Sequence, residues 1–290
     1  MTSRPIAVSL AALVLWTSSN PHAQATREFK DVIYASLDGK DLGLDIYLPA
    51  AVPSPPLLVW VHGGAWSGGT KAQAPTVFVA NGFGLASLDF RQSTDARFPA
   101  QVHDIKAAIR FLRAKAASYG YRADRIAIGG SSSGGHLAAL VGVTNGHAEL
   151  EGSVGGYRKE SSAVQAILDY YGASNLTTIL SQSTPFGLNM RRPALERLLG
   201  ALPDQVTALA ALASPVTHVD RGDPPLHLLH GDQDPQMPIN QSHELEGAYK
   251  RLQLDVTFDV VHGAAHGGDR FFTGDYLARA VAFLRRTLAP

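Results

Sequence analysis

The feature that most constrains this chain is the stretch Gly130-Ser131-Ser132-Ser133-Gly134. Of its three serines, only Ser132 has a glycine both two residues before it and two residues after it, which is the G-x-S-x-G pattern of a sharp strand-to-helix turn. Such a turn leaves no room for a Cβ at its flanking positions and holds its central residue in a strained conformation. The pattern is short enough to arise by chance, so its surroundings decide what it means.

The flanking sequence supplies the strand and the helix that this pattern requires. Before it, Arg125-Ile126-Ala127-Ile128-Gly129 is a short apolar run with β-branched residues, typical of a buried parallel strand. After it, residues 136–141 are apolar and free of proline, which favours a helix that ends near Gly142. Ser132 is therefore predicted to project from the turn between the two. The alternative is that the three serines only cap the helix.

Apolar runs alternate with helical patterns along most of the chain. The predicted strands are 29–37, 42–48, 57–61, 84–88, 126–128, 164–168, 226–229 and 256–261. The predicted helices are 99–117, 133–141, 240–252 and 276–288, with shorter pieces at 193–199 and 204–212. This order predicts an α/β fold with a mostly parallel eight-stranded sheet, helices on both faces and an opening antiparallel hairpin. Residues 176–215 break the alternation after strand six and are interpreted as a small insertion over the sheet edge.

The first 25 residues have the three regions of an export signal. Arg4 is the lone charge, residues 6–16 are an apolar run, and Ala23-Gln24-Ala25 is a small-x-small cleavage site. We expect cleavage near Thr26, one domain over residues 26–290, and a periplasmic or secreted protein. The apolar run is too short to span a bilayer, so no stable membrane anchor is expected. The alternative is a disordered N-terminal tail.

Composition excludes several classes of protein. The chain has no cysteine, which excludes disulfides and thiolate chemistry, so folding depends on an apolar core. Its 25 Lys and Arg residues balance 25 Asp and Glu residues without a long run of like charge, which argues against a nucleic-acid or anionic-membrane partner. The composition does not predict an oligomeric state.

A serine hydroxyl is a weak nucleophile at neutral pH, so it needs a base, an orienting acid and donors for a developing oxyanion. In an open α/β sheet these groups follow the carboxyl ends of the strands. His62-Gly63-Gly64-Ala65-Trp66 follows the third strand directly. We expect the backbone N–H groups of Gly64, Ala65 and Ser133 to form the oxyanion hole. The alternative for this segment is an ordinary glycine turn.

Each of the last two strands offers two candidates for the acid or the base. Asp232 follows the seventh strand so closely that it is more typical of a turn cap, whereas Asp234 lies further round the loop. His262 is still at the end of the eighth strand, whereas His266 lies among small residues at a loop tip. We therefore predict that Asp234 and His266 act with Ser132, and Asp232 and His262 stay as alternatives. The order Ser…Asp…His is that of α/β-hydrolases.

The chain as a whole resembles the bacterial esterase/lipase group of the α/β-hydrolase superfamily, which includes acetyl and feruloyl esterases. The resemblance implies that Ser132, Asp234 and His266 form the triad, with Gly64, Ala65 and Ser133 as oxyanion donors. The family usually has a glycine where this chain has Ala65, and we expect the extra methyl to exclude esters of bulky alcohols. The matching segments are His62-Gly63-Gly64-Ala65-Trp66, Asp89-Phe90-Arg91, Phe98-Pro99-Ala100-Gln101, Gly130 to Leu140, Ser214-Pro215-Val216-Thr217, His230-Gly231-Asp232-Gln233-Asp234 and Gly263 to Gly267.

The predicted function is hydrolysis of carboxylic esters through an acyl-enzyme, without a metal or organic cofactor. Short-chain or aromatic esters, free or linked to a polysaccharide, are the expected substrates. Residues interpreted as lining the substrate pocket, or with equal weight as core or lid residues, are Trp66, Tyr170, Tyr171, Phe186 and Met190. One alternative is a peptidase or amidase with the same triad, which a nitrophenyl ester compared with a matched anilide would separate. The other is a catalytically silent binding module, which predicts a missing triad residue, and none is missing.

Overall fold

A computed structural model of the chain describes residues 25–37 and 39–289. The predicted export signal lies outside these residues except for Ala25, so export stays a prediction. Among the described helices, none combines the length and the apolar character needed to cross a bilayer.

Eight strands form one twisted sheet, in which β1 and β2 form an antiparallel hairpin and β2 also pairs antiparallel with β4. The remaining neighbours are parallel, and the spatial order is β1-β2-β4-β3-β5-β6-β7-β8. This is the α/β-hydrolase fold, which confirms the predicted fold class. The strands are β1 (Thr26–Leu37), β2 (Lys40–Pro49), β3 (Leu57–Val61), β4 (Gly84–Leu88), β5 (Ile126–Ser131), β6 (Ala166–Tyr170), β7 (Leu226–Gly231) and β8 (Val256–Val261).

The helices alternate with these strands. Four of them match the long predicted helices to within about two residues at either end, whereas the short α1, α4 and α5 were not predicted because four residues carry too little periodicity. Single 3₁₀ turns lie at Pro215–Thr217 and Asp269–Phe272. The helices are α1 (Val77–Ala80), α2 (Ala100–Tyr119), α3 (Ser133–Gly142), α4 (Ala148–Glu151), α5 (Ile179–Gln182), α6 (Pro185–Leu199), α7 (Thr207–Leu212), α8 (Asn240–Arg251) and α9 (Gly274–Thr287).

The two faces of the sheet bury two separate apolar clusters. Along β3, Val59 packs in one cluster, with residues of α2, α3 and α8, whereas Leu58 and Trp60 pack in the other, with residues of α1 and α9. Successive residues of a strand point to opposite faces, so a strand that is covered on both sides needs a continuous apolar run. The uninterrupted Leu57–Val61 sequence is explained by this burial on both faces.

Two boundaries differ from the prediction for identifiable reasons. Strand β6 covers Ala166–Tyr170 instead of 164–168, because its apolar pattern continues past the buried Asp169. In the insertion, α6 begins at Pro185, eight residues before the predicted start at Pro193, because Thr184 Oγ1 accepts a hydrogen bond from the Gly187 N–H and caps the helix there. Proline usually starts a helix, but Pro193 lies inside this one.

The predicted strand-to-helix turn joins β5 to α3 and packs directly against β3. A Cβ on Gly134 would overlap the carbonyl oxygen of Val61, and a Cβ on Gly130 would overlap the carbonyl oxygen of Gly134. Ser132 lies between them with φ 55° and ψ −121°. The two glycines therefore let backbone touch backbone, and this contact fixes where Ser132 stands relative to β3.

We expect Gly134→Ala to lower the free energy of unfolding by about 3 kcal/mol, because a rigid backbone atom lies where the new methyl would be placed. Gly156 is exposed, has no heavy atom within 4 Å of a built Cβ, and supplies the matched control Gly156→Ala. Urea unfolding followed by circular dichroism measures both variants. Equal midpoints for the two variants would contradict the close-packing explanation.

Candidate active site

The turn between β5 and α3 holds the Ser132 hydroxyl at the carboxyl ends of the parallel strands. The Ser132 N–H donates to the carbonyl oxygen of Tyr170 at 2.8 Å, which ties the turn to β6. Ser132 Oγ lies 2.7 Å from His266 Nε2. The strained serine is therefore in hydrogen-bond contact with an imidazole from a loop 134 residues further along the chain.

His266 is carried by the loop that follows β8. The loop turns back through Gly267 and Gly268, whose φ values are 98° and 105°. The ring of His266 packs edge-on against Tyr171, with the two ring centroids 4.8 Å apart. Its Nδ1 lies 2.6 Å from Asp234 Oδ2, so the imidazole is held from one side by an aromatic ring and from its far nitrogen by a carboxylate.

Asp234 is buried and fully engaged, with its side chain only 1% exposed. Its Oδ1 accepts the N–H groups of Gln236 at 2.8 Å and Met237 at 2.9 Å, and His230 Nε2 lies 3.3 Å from its Oδ2. Burial opposes ionisation, but hydrogen bonds from His230 and His266 outweigh it and hold the pKa of Asp234 well below its ordinary value. Asp234 is therefore a carboxylate across the range in which the protein would work.

The ionised carboxylate settles the tautomer of the imidazole. An acceptor-only carboxylate 2.6 Å from Nδ1 requires a proton on that nitrogen. We therefore assign the N–H of His266 to Nδ1, which leaves the lone pair of Nε2 facing the hydroxyl of Ser132. This arrangement can remove the serine proton.

The two alternative residues pair with each other at the surface. His262 Nδ1 lies 2.9 Å from Asp232 Oδ2, and Asp232 Oδ1 accepts the N–H of Gly263 at 2.7 Å. The His262 side chain is 81% exposed. The structure thus brings Ser132, Asp234 and His266 together and leaves Asp232 and His262 as a local contact between two loops.

Three backbone N–H groups beside Ser132 have no acceptor in the part of the chain that the structure describes. They belong to Gly64 and Ala65, after β3, and to Ser133, the first residue of α3. Gly64 and Ala65 have φ values of 125° and 52°, which turn this backbone away from ordinary secondary structure. Free N–H groups at such a turn, together with the N-terminus of a helix, can stabilise a negatively charged oxygen.

The loop that carries Gly64 and Ala65 is anchored to α3 through two aromatic side chains. Trp66 Nε1 donates to His136 Nδ1 at 3.0 Å, and His136 Nε2 lies 2.7 Å from the carbonyl oxygen of Ala213. Burial lowers the pKa of His136 to about 4, so the ring is neutral and donates from Nε2. His136 was not predicted as a site residue, because its position in the sequence is that of an ordinary residue of α3.

Ser132 faces a cavity of about 370 Å³. Of the five predicted pocket residues, Tyr171 and Met190 line it, but Trp66, Tyr170 and Phe186 do not. Trp66 and Tyr170 are packed in the core, which is the equally weighted alternative for them, and Phe186 lies exposed on α6 of the insertion, outside the lining of this cavity. The cavity is lined by Gly63, Gly64, Ala65, Gln73, Ser131, Ser132, Tyr171, Met190, Arg191, Gln236 and His266.

Sequence reasoning missed the polar part of this lining, which consists of Gln73, Arg191 and Gln236. Arg191 comes from the insertion, where Arg192 is its neighbour in sequence and is exposed. No pattern in the sequence separates the two arginines, because the choice depends on how α6 rotates over the sheet. A second cavity of about 340 Å³ shares Gln73 and Ser131 with the first.

A buried carboxyl group underlies the turn that carries Ser132. Asp169 Oδ1 accepts the N–H of Gly172 at 2.9 Å, whereas Oδ2 has no partner among the described residues. Burial raises the pKa of Asp169 to about 7. Between the ordinary pKa of an aspartate and this value, the folded protein holds a proton that the unfolded chain has released, so the free energy of unfolding falls as pH rises through that interval.

We therefore expect Asp169→Asn, which keeps the acceptor for Gly172 but cannot ionise, to remove this pH dependence. Relative to the variant, the unsubstituted protein should lose up to roughly 4 kcal/mol of stability between about pH 4 and pH 8. Urea unfolding of both proteins across this range measures the difference. Parallel stability curves would show that Asp169 does not titrate in this interval.

The chain is similar to a known protein family and to several characterised proteins. The family model BD-FAE matches residues 44–249. Esterase LipQ of Mycobacterium tuberculosis is 32% identical over 258 residues, which cover 86% of this chain and 59% of that protein. The chain spans about half the length of the curated relatives that it matches.

Two solved structures are similar over most of the chain. A carbohydrate esterase from gut microbiota, solved in a truncated form, is 31% identical with a TM-score of 0.83, and the match covers 94% of this chain and 100% of that one. A bifunctional GH43-CE protein of Bacteroides eggerthii is 37% identical with a TM-score of 0.81, and the match covers 90% of this chain and 35% of that one. These similarities agree with the sheet order and place the chain in an esterase group of the α/β-hydrolases.

Proposed function

Because the chain belongs to the BD-FAE family, we propose that it is a serine carboxylester hydrolase. The observation that carries this proposal is the continuous line of hydrogen bonds from Asp234 through His266 to Ser132, with distances of 2.6 and 2.7 Å. This line ends beside the three N–H groups of Gly64, Ala65 and Ser133, which lack acceptors in the described residues. A nucleophile, a base, an orienting carboxylate and oxyanion donors are the full set that acyl transfer requires.

In the first half-reaction, His266 Nε2 accepts the proton of Ser132 as Oγ attacks the ester carbonyl carbon. The carbonyl oxygen becomes an oxyanion, which accepts hydrogen bonds from the N–H groups of Gly64, Ala65 and Ser133. Asp234 stabilises the imidazolium that forms. When the tetrahedral intermediate collapses, the carbon–oxygen bond to the alcohol breaks, the alcohol takes the proton from His266, and the acyl group stays on Ser132.

In the second half-reaction, a water molecule replaces the alcohol. His266 takes a proton from the water as its oxygen attacks the acyl carbon, and the same N–H groups hold the second oxyanion. Collapse then breaks the bond to Ser132 Oγ, which regains its proton from His266. The carboxylic acid leaves, and the side chains return to their starting state.

We further propose short-chain or aromatic esters, including esters carried on carbohydrate, as substrates. The cavity lined by Ser132 adjoins a second cavity through Gln73 and Ser131, and the two give separate room for an acyl part and an alcohol part. The second contains the aromatic side chains of Trp60 and Phe272. Similarity to a carbohydrate esterase supports esters carried on carbohydrate as one part of this proposal. Export to the periplasm or medium is proposed from the sequence of residues 1–25 alone.

We expect Ser132→Ala to lower kcat for nitrophenyl acetate by about 10⁴–10⁶-fold, because among the described residues Ser132 Oγ is the hydroxyl that His266 Nε2 contacts. Ser133→Ala is the matched control: the proposal uses its backbone N–H, and its hydroxyl is buried without a partner among the described residues. The control should therefore lose far less activity. Circular dichroism checks that both variants fold.

Full activity in Ser132→Ala would overturn the serine mechanism. A matched nitroanilide, measured beside the ester, tests the peptidase or amidase alternative in the same assay. We expect the ester to turn over much faster, because the amine leaving group of an anilide must be protonated before it departs. Comparable turnover of the two would favour amide hydrolysis.

Ala65→Gly should widen the entrance for the alcohol. The Ala65 methyl lines the cavity, and its φ of 52° is one that glycine adopts without strain. We expect kcat/KM for a tert-butyl ester, divided by that for the methyl ester of the same acid, to rise at least about tenfold. An unchanged ranking of bulky against small alcohols would show that the methyl does not exclude them.

A further inference from the structure

The cavity beside Ser132 contains a buried positive charge. Arg191, on α6 of the insertion, lines this cavity together with Ser132 and His266 although only 3% of the residue is exposed. Its Nε donates to the carbonyl oxygen of Gln236 at 3.2 Å. This one hydrogen bond fixes the stem of the guanidinium against the loop that carries Asp234.

The rest of the guanidinium has no partner in the part of the chain that the structure describes. Across residues 25–37 and 39–289, Nη1 and Nη2 of Arg191 donate no hydrogen bond, and no carboxylate oxygen lies within 4.0 Å of the group. Neither nitrogen is among the fully buried atoms that lack a partner, so both reach the open space of the cavity. Asp234 attracts Arg191 through space, but its two oxygens are already used by His266, Gln236 and Met237. Two terminal nitrogens with up to four N–H bonds therefore stay available at the cavity.

A comparison with Arg110, an equally buried arginine elsewhere in the fold, shows that Arg191 lacks a directly paired carboxylate. Arg110 is also 3% exposed and its Nε has no partner among the described residues, but its Nη1 lies 3.1 Å from Glu151 Oε2 and its Nη2 donates to the carbonyl oxygen of Val154. A buried cation is costly unless a carboxylate pairs with it directly, as Glu151 does with Arg110, and Asp234 lies too far from Arg191 for a direct pair. Burial lowers the pKa of Arg191 to about 10, so the group still carries its charge at neutral pH.

The chemistry of the guanidinium selects the kind of group that would complete the site. Its planar fork matches the two oxygens of a carboxylate and forms two parallel hydrogen bonds with it. Gln236, whose side-chain amide has no hydrogen bond within the described part of the chain, and Gln73 line the same cavity and offer further polar contacts. The cavity is thus suited to a small acyl or alcohol group that carries an anion.

We propose that Arg191 binds a carboxylate on the substrate, so that the protein prefers esters that carry a negative charge close to the scissile bond. This inference rests on the proposed ester hydrolysis at Ser132. Such esters include half-esters of dicarboxylic acids, with the charge on the acyl part, and esters of hydroxy acids or acidic sugars, with the charge on the alcohol part. Arg191 does not touch the reacting atoms, so its role is to determine specificity.

Two substrate pairs test the charge and locate it. Monomethyl glutarate against dimethyl glutarate places the carboxylate on the acyl part, and 3-acetoxybenzoate against its methyl ester places it on the alcohol part. The measured quantity is kcat/KM for the charged ester divided by kcat/KM for its neutral partner. Taking this quotient before and after substitution cancels the intrinsic reactivity of each ester.

We expect Arg191→Gln to lower this quotient at least tenfold in one of the two pairs, mainly through a higher KM for the charged ester. Arg191→Lys should fall in between, because it keeps the charge but loses the fork. Arg192→Gln, the exposed neighbour on the same helix, is the matched control and should leave the quotient unchanged in both pairs. If circular dichroism shows that Arg191→Gln does not fold, the comparison of Arg191→Lys with the Arg192→Gln control replaces it.

The outcomes separate this inference from the proposed function. If the unsubstituted protein hydrolyses the neutral esters but shows the same quotient as the Arg191 variants in both pairs, Arg191 has only a structural role and the inference is wrong, whereas the ester hydrolase proposal stands. An equal loss on charged and neutral esters would lead to the same conclusion. If the unsubstituted protein hydrolyses none of the four esters, both proposals fail.

Discussion

The contact between the turn at Ser132 and strand β3 is the constraint on which the site depends. Gly130 and Gly134 have no side chains, so the backbone of the turn rests against Val61 and against itself. That contact sets the height of Ser132 above the sheet and the direction in which α3 begins. It also brings the first N–H of α3 close to the segment after β3, where the N–H groups of Gly64 and Ala65 have no acceptor among the described residues. Ser132 and the three N–H groups that we propose as oxyanion donors are thus placed by one backbone packing arrangement.

Backbone strain is concentrated around the same point. Non-glycine residues with positive φ include Ala65, Trp66, Ser132 and Tyr171, all of which lie next to the cavity or support its wall. Each costs of the order of 1–2 kcal/mol, and such conformations persist where surrounding contacts over-determine them. Two such contacts are hydrogen bonds: Trp66 Nε1 donates to His136 Nδ1, and the N–H of Tyr171 donates to the carbonyl oxygen of Leu229. The rest of the fold therefore stabilises a geometry that these residues would not adopt alone.

Asp234, Asp169 and Arg191 are buried ionisable residues near the site, and they differ in the number of hydrogen bonds that each side chain makes. This difference decides what each residue can do. Asp234 accepts four hydrogen bonds from its neighbours and stays ionised. Asp169 accepts one, and burial raises its pKa instead. Arg191 donates one and keeps its charge, because a guanidinium does not lose its proton near neutral pH. The first is suited to hold an imidazolium, the second is structural, and the third is the group that we propose binds a carboxylate of the substrate.

The sequence by itself determined the fold class, the strand order along the chain, and the residue at the strained turn. These are local properties: glycine spacing around Ser132, apolar runs on doubly covered strands, and polar residues just after strand ends. It also reduced the candidates for the acid to Asp232 and Asp234, and the candidates for the base to His262 and His266. It could not measure the distances that unite Asp234 and His266 with Ser132 and pair Asp232 with His262.

Tertiary structure alone decided the shape and the charge of the cavity. In the sequence, Trp66 and Tyr170 could be either pocket or core residues, because an aromatic residue next to a site is equally suited to both. The packing of the sheet and α3 buries them. Arg191 and Arg192 are identical in sequence terms, and only the packing of α6 over the strand ends sends the first inward and leaves the second in water. Local patterns specify which elements form, whereas long-range packing specifies which side chains face one another.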